Sequence, residues 1–297
     1  MTTTPATTPG PTRADPPLEV APVRRAPVGL ASDLRAVRVV TTRELLRWIK
    51  DRRRLVAGLV QPLLWLFVLG TGLSRVVSAG AAGADFRTFL FPGVLATTVM
   101  FTSVFSGVSV VWDREFGFLR EMLVAPIRRS SILVGKCLGG AIVATAQASV
   151  VLALAGLAGV PYSPVLLLGL LGVAFLAALV ITAFGLLLGA KVADIQSVMP
   201  VMQAVITPMM FLSGALYPTS GLPGWLALAT KVNPVTYAVL PMRELVFAHL
   251  EGTGSMALGG SLTWWGWTVP VAVQLLVLTA TGAAVLALAI RRFSRAE

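Results

Sequence analysis

Six apolar segments, each near or above twenty residues and free of Asp, Glu, Lys, Arg and His, leave this chain few folds to adopt. They run Leu55–Leu73, Phe89–Trp112, Leu138–Val160, Val165–Ala190, Val198–Leu216 and Thr268–Ile290. A helix needs about 20 apolar residues to cross the hydrocarbon core of a bilayer, and a charge held at its centre costs about 3 kcal/mol. Backbone in lipid must satisfy its own hydrogen bonds, so only helices and closed barrels span it. The alternation of a membrane β-strand is absent, which leaves helices. Composition agrees: 56% of the residues are hydrophobic and 12% are charged, against about 25% charged in soluble domains. The expectation is an all-α membrane protein with six transmembrane helices.

The formal charge of +11 admits two partners, nucleic acid or an anionic membrane surface. The basic residues lie between apolar runs and not on one soluble domain, so no nucleic-acid partner is expected and membrane lipid is. With the N-terminus inside, twenty of the 24 Lys and Arg fall on the inner pieces, and the positive-inside rule places both termini in the cytoplasm. Residues 1–30 are rich in Thr, Pro and Ala and lack an apolar run; they read as a disordered cytoplasmic tail, with the membrane domain over 31–297. From Asp33 to Arg54, Leu34, Val37, Thr41, Leu45 and Trp48 recur at three and four, while Arg35, Arg38, Arg43, Arg47 and Lys50 fall largely elsewhere. That pattern predicts a basic amphipathic helix lying on the membrane interface.

Between Tyr217 and Trp267 a second apolar stretch is broken by Pro223, Pro234 and Pro241 and carries Lys231, Arg243 and Glu244. A re-entrant pair of short helices on the outer side fits better than a seventh span. Trp264, Trp265 and Trp267 read as an aromatic belt. The lone Cys137 excludes an internal disulfide and reads as a small apolar helix residue; His249 reads as a polar residue near the membrane surface. No Cys/His cluster suits a metal. No phosphate loop is present, since Gly135-Lys136-Cys137 lacks the earlier glycine and the hydroxyl. No ionisable group lies within a span, which disfavours an ion-coupled carrier and a membrane enzyme.

The loop after the second segment reads Asp113-Arg114-Glu115-Phe116-Gly117-Phe118-Leu119-Arg120-Glu121-Met122-Leu123-Val124-Ala125-Pro126. Its charges, its apolar spacing and the helix-stopping Pro126 fit a short amphipathic helix docked in a soluble partner's groove. They fit a solvated loop equally. The run resembles the signature of type-2 ABC transporter permeases, especially the daunorubicin-resistance drug exporters. So do Phe211-Leu212-Ser213-Gly214-Ala215-Leu216-Tyr217-Pro218, continuing to Pro223-Gly224-Trp225, and Asn233-Pro234-Val235-Thr236-Tyr237.

The resemblance implies a six-helix permease in the plasma membrane with the re-entrant hairpin before its last span. It implies a dimer of two permeases, identical or paralogous, each docking an ATP-binding subunit. Residues 114–123 would be the coupling helix, and Lys191, Asp194 and Gln196 would mark a second cytoplasmic contact. This chain would bind no cofactor itself; ATP and magnesium would act through the partner. Spans one, two and five would line the dimer interface and the path of a hydrophobic small-molecule substrate, with Phe101, Phe105, Met199, Met202, Met209 and Phe211 as candidate liners. A permease for lipid-linked polysaccharide is the alternative. Gly185 and Gly189 hold a G-x-x-x-G spacing that permits close helix packing, or are ordinary membrane glycines.

Overall fold

The computed structural model describes residues 29–78, 86–118, 128–192, 194–219, 221–250, 262–264 and 266–295. Most of the predicted tail, the coupling-helix residues Leu119, Arg120, Glu121 and Met122, and Trp265 lie outside them. Helix α1 (Leu30–Lys50) leads after Asp51 into α2 (Arg52–Leu64), a π-helical turn (Trp65–Leu69) and α3 (Gly70–Ser78). Then follow α4 (Phe86–Glu115), α5 (Arg129–Leu152), a 3₁₀ turn (Ala155–Ala158), α6 (Pro164–Gly189), α7 (Ile195–Phe211), α8 (Gly224–Val232), α9 (Thr236–Ala248) and α10 (Val271–Arg295). A two-stranded turn, β1 (Thr263–Trp264) with β2 (Trp267–Thr268), precedes α10.

Among the described residues, five helical stretches are long and apolar enough to cross a membrane: Leu55–Ser74, α4, α5, α6 and Val271–Phe293. The fifth predicted segment, Val198–Leu216, departs from expectation. Its helix α7 has 17 residues, about 26 Å at 1.5 Å per residue, against a hydrocarbon core of about 30 Å. Gly214, at φ +72°, turns the chain just beyond it.

α4 is the axis of the bundle, 78% buried over its apolar window, whereas Leu55–Ser74 is 17% buried and α10 22%. Glycines let α4 and α6 touch backbone to backbone. A Cβ at Gly107 would lie 2.5 Å from the Thr182 carbonyl oxygen, and one at Gly185 would lie 2.8 Å from that of Val104. The G-x-x-x-G pair therefore packs helices: at Gly189 a Cβ would meet Val110 at 2.7 Å. α9 packs against α4, α6 and α10.

α1 is partly sealed against protein. Asp33 meets Ser131, Thr41 Oγ1 donates to the Gly135 carbonyl at 3.0 Å, and Glu44 meets Gly139. These contacts advance together, so α1 and α5 run side by side in the same direction. The sealed face is Ala36, Val40 and Glu44, while Leu34 is exposed. The predicted apolar positions Val37, Thr41, Leu45 and Trp48 are half-buried beside that face, and the fully covered charge is a glutamate with a buried partner.

Candidate functional site

Three sequence-distant helices bring charge into the protein where the segment after α4 emerges. Asp113, in the last turn of α4, and Lys136, two turns into α5, are each 1% exposed; Glu44 of α1 is 7% exposed. Lys136 Nζ lies 2.5 Å from Asp113 Oδ2 and donates to Glu44 Oε1 at 3.0 Å and to Ser109 Oγ at 3.1 Å. Arg43 Nη2 donates to Asp113 Oδ1 at 2.7 Å, and Arg47 Nη1 lies 3.6 Å from the same oxygen. A buried cation with two carboxylates is tolerable only because the hydrogen-bond geometry offsets desolvation; removing one member strands the others. The result is a polar joint fastening α1 to the adjoining ends of α4 and α5.

Sequence reasoning placed Asp113 among docking charges and missed Lys136 and Glu44. A signal existed: Glu44 is the sole acidic residue from Leu34 to Lys50, and Asp113 and Lys136 flank the ends of consecutive spans. Opposite charges at such positions face each other when the spans pack as neighbours.

The segment expected to dock a partner begins on this joint. Glu115 and Phe116 are exposed. Gly117 takes φ +78° with open space around it, a conformation that side-chain-bearing residues resist. The Arg43 guanidinium sits 5.5 Å from the centre of the Phe118 ring. Arg114 donates to the carbonyl of Val192, so the start of this segment and the Lys191–Gln196 loop are tied together. In that loop Lys191, Asp194 and Gln196 are exposed. Asp194 caps α7, its Oδ1 accepting from Ser197 N at 2.8 Å. That backbone N–H holds its carboxyl below the usual range.

The other two signature stretches are also anchors. Asn233 Nδ2 donates to the Met209 carbonyl at 2.6 Å, and its Oδ1 accepts from Val235 N at 3.0 Å. Tyr237 donates to the Lys231 carbonyl at 2.8 Å. α8, which follows Pro223 and starts Gly224-Trp225, and α9 are therefore two short helices pinned together around Asn233-Pro234 and to α7. Trp225 is 70% exposed. Arg243 of α9 is fully buried and was not singled out beforehand as a site residue. It donates to the carbonyls of Gly214 (2.9 Å) and Ala215 (3.3 Å), and its guanidinium lies 4.1 Å from the centre of the Phe89 ring.

The candidate substrate-path residues separate. Phe101 and Phe105 line a cavity of about 280 Å³ between α2, α4 and α5, together with Trp48, Gln61, Thr98, Thr102 and Gln147. Met199 and Phe211 are exposed on α7, Met209 is half-buried, and Met202 is in the core at 2% exposure. Cys137 is buried, 3.4 Å from the Leu179 carbonyl, and His249 closes α9 with its Nδ1 2.9 Å from the Leu245 carbonyl. Among the described residues no group of three His, Cys, Asp or Glu could hold a metal ion.

Residues 35–247 match the model of the ABC-2 type transporter family. The chain is 31% identical over 209 residues to a protein of Cyanophora paradoxa named as transport permease ycf38, covering 68% of this chain and 71% of that one. It is 29% identical over 218 residues to nodulation protein J of Rhizobium leguminosarum bv. trifolii, covering 71% and 80%. It is 27% identical over 211 residues to a Mycobacterium tuberculosis protein named as doxorubicin resistance ABC transporter permease protein DrrC, covering 68% and 74%. The matched region runs from α1 to α9 and takes in the charged joint and both anchored signatures, so this multi-pass membrane chain belongs to the ABC-2 type transporter family.

Proposed function

We propose that this chain is the membrane subunit of an ATP-driven exporter in the plasma membrane, with both termini in the cytoplasm. A separate ATP-binding subunit docks on the segment that begins Asp113–Phe118 and on the loop Lys191–Gln196. The observation that carries this is the Glu44–Lys136–Asp113 joint. It makes α1 and the ends of α4 and α5 one rigid unit at the root of the docking segment, as a lever must be. Closure of two ATP-binding subunits then moves that unit as a body, and hydrolysis resets it.

A second copy or a paralogue pairs through the sparsely buried first span and through α7, whose exposed Met199 and Phe211 need cover. α7, carried on to Ser213 where the chain turns, makes a sixth crossing, and α8 and α9 form the hairpin that re-enters the outer leaflet. The cargo is a hydrophobic or amphipathic small molecule; relatives named for drug resistance support this. A lipid-linked saccharide or another lipid-like cargo is the alternative reading.

The test is reconstitution in vesicles with an ABC-type ATP-binding subunit. ATP-dependent export and co-purification are expected, and both should be lost in Glu115→Ala and Gly117→Ala while membrane insertion persists. Normal export by both variants would sink the docking assignment.

A further inference from the structure

α1 seals one face against α5 and leaves the opposite one open as a groove of about 1010 Å³. Arg35, Arg38, Arg43, Arg47 and Lys50 line it, and among the described residues no carboxylate does. Arg43 and Arg47 are already committed to Asp113. Arg35, Arg38 and Lys50 are exposed and meet no carboxylate among the described residues. Three accessible cations therefore face a hollow that supplies them no counter-charge.

The groove's chemistry names its occupant. Arg35, Arg38 and Thr42 follow at spacings of three and four, so they stand on one helix face. Two guanidinium forks and a hydroxyl so placed match the oxygens of one phosphate. Val39 and Leu46 line the groove beside them and are exposed. Aliphatic surface among cations suits carbon that arrives with the phosphate, as at a membrane surface. The groove also leads to the bilayer. A second hollow, of about 550 Å³, shares Arg47 and Lys50 with it and continues to Arg52 and Arg53. The first span begins at Leu55, just beyond, so this end lies at headgroup depth.

We infer that this groove is a binding site for an anionic phospholipid, whose phosphate is held by Arg35, Arg38 and Thr42 while its glycerol and acyl carbons lie on Val39 and Leu46. A helix that merely rests on the interface attracts anionic lipid diffusely along its length; the groove makes one saturable site. A zwitterionic headgroup would bring its own cation against the arginines, with no carboxylate there to receive it. Phe118 forms one wall, its ring centre 5.5 Å from the Arg43 guanidinium, so the bound lipid reaches the start of the segment proposed to dock the ATP-binding subunit. The inference needs the chain's place in a membrane and stands apart from the export reading.

The experiment titrates the full chain in detergent with equimolar phosphatidylglycerol and phosphatidylcholine of identical acyl chains, and counts retained lipids by native mass spectrometry. The first lipid retained should be phosphatidylglycerol by about tenfold, about 1.4 kcal/mol. Arg35→Gln with Arg38→Gln, both at exposed positions, should bring the two lipids level. Arg291→Gln with Arg292→Gln removes the same charge from exposed positions at the end of α10 and should leave the preference intact. Excess inorganic phosphate should not displace the lipid, since it has no carbon for Val39 and Leu46 to hold. Equal retention of the two lipids by the unaltered chain, an equal loss of preference in both double variants, or full displacement by phosphate would each overturn the proposal. So would a preference that survives Arg35→Gln with Arg38→Gln; if that variant also fails to co-purify with an ABC-type ATP-binding subunit, the groove receives an acidic protein surface instead.

Discussion

Two cations, Lys136 and Arg243, are almost wholly removed from solvent, and the protein accommodates them in opposite ways. Their contacts on α4, at Ser109 to Asp113 for one and Phe89 for the other, are at least 20 residues apart, about 30 Å along the helix. Lys136 is matched by two carboxylates from two other helices. Arg243 meets no carboxylate among the described residues, only two backbone carbonyls and an aromatic ring. The first is a joint of full charges, whose members depend on one another. The second is a charge held by dipoles that a turn leaves available: the chain reverses at Gly214 after α7 ends, and the Gly214 and Ala215 carbonyls face inward. Gly93 of α4 permits the approach, since a Cβ there would lie 2.0 Å from the Ala215 oxygen. Under the proposed lever a charged joint suits a place where force passes between helices, whereas the dipole cage pins the turn after α7 to α9.

The largest effect should come from breaking the joint by halves. Lys136→Met leaves Asp113 and Glu44 buried beside each other and should cost about 3–5 kcal/mol. The triple replacement Glu44→Gln, Asp113→Asn, Lys136→Met should recover most of that loss, because paired charges and well-packed neutral groups are often close in energy. Thermal unfolding in nanodiscs measures both, and a triple variant no better than the single one would break the contrast.

Arg243→Met should be milder, about 1–3 kcal/mol. It abandons two carbonyls and a cation–π contact, but it also removes a buried charge that has no carboxylate. Gly93→Ala sharpens the point: it should destabilise the hairpin although it touches neither charge, by pushing the Ala215 carbonyl off α4. If Arg243→Met unfolds the protein more readily than Lys136→Met, the dipole cage is the stronger of the two.

Smaller again should be Gly117→Ala. Its strain at positive φ is about 1 kcal/mol, so melting should hardly shift while co-purification of the ATP-binding subunit falls. The smallest change is expected at Asp194, an exposed carboxylate that serves as control for the buried ones. Its pKa is lowered by folding, so its capping contribution is present above the ordinary carboxylate range and lost as pH falls through the lowered value. Asp194→Ala should therefore speed amide exchange at Ser197 at neutral pH and leave the remainder of the bundle unchanged.

The spans were legible because a charge-free apolar run admits only a helix in lipid. Boundaries were less so. The apolar run Leu138–Val160 is framed by hydropathy, yet α5 starts at Arg129 and ends at Leu152, because a packed neighbour satisfies Lys136 and lets the helix begin among charges. The run Val198–Leu216 was cut short by a turn whose carbonyls serve Arg243, a contact between positions 28 and 29 residues apart. Asp113, Asn233 and Tyr237 were legible as signature residues, but not as a joint and a set of anchors. Gln147 and Glu44 gave almost no signal, since a single polar residue at one helix position reads alike whether it faces solvent or a partner.

By itself, then, the sequence determined the material of this protein: apolar helices in a membrane, because transfer of charge and bare backbone into hydrocarbon is prohibitive. Only the tertiary structure decided which polar residues leave water. Glu44, Asp113 and Lys136 share one buried site, Arg243 rests on a turn, and Gln147 faces a cavity. Each of those burials depends on a partner supplied by a distant helix, and no local pattern encodes which helices become neighbours.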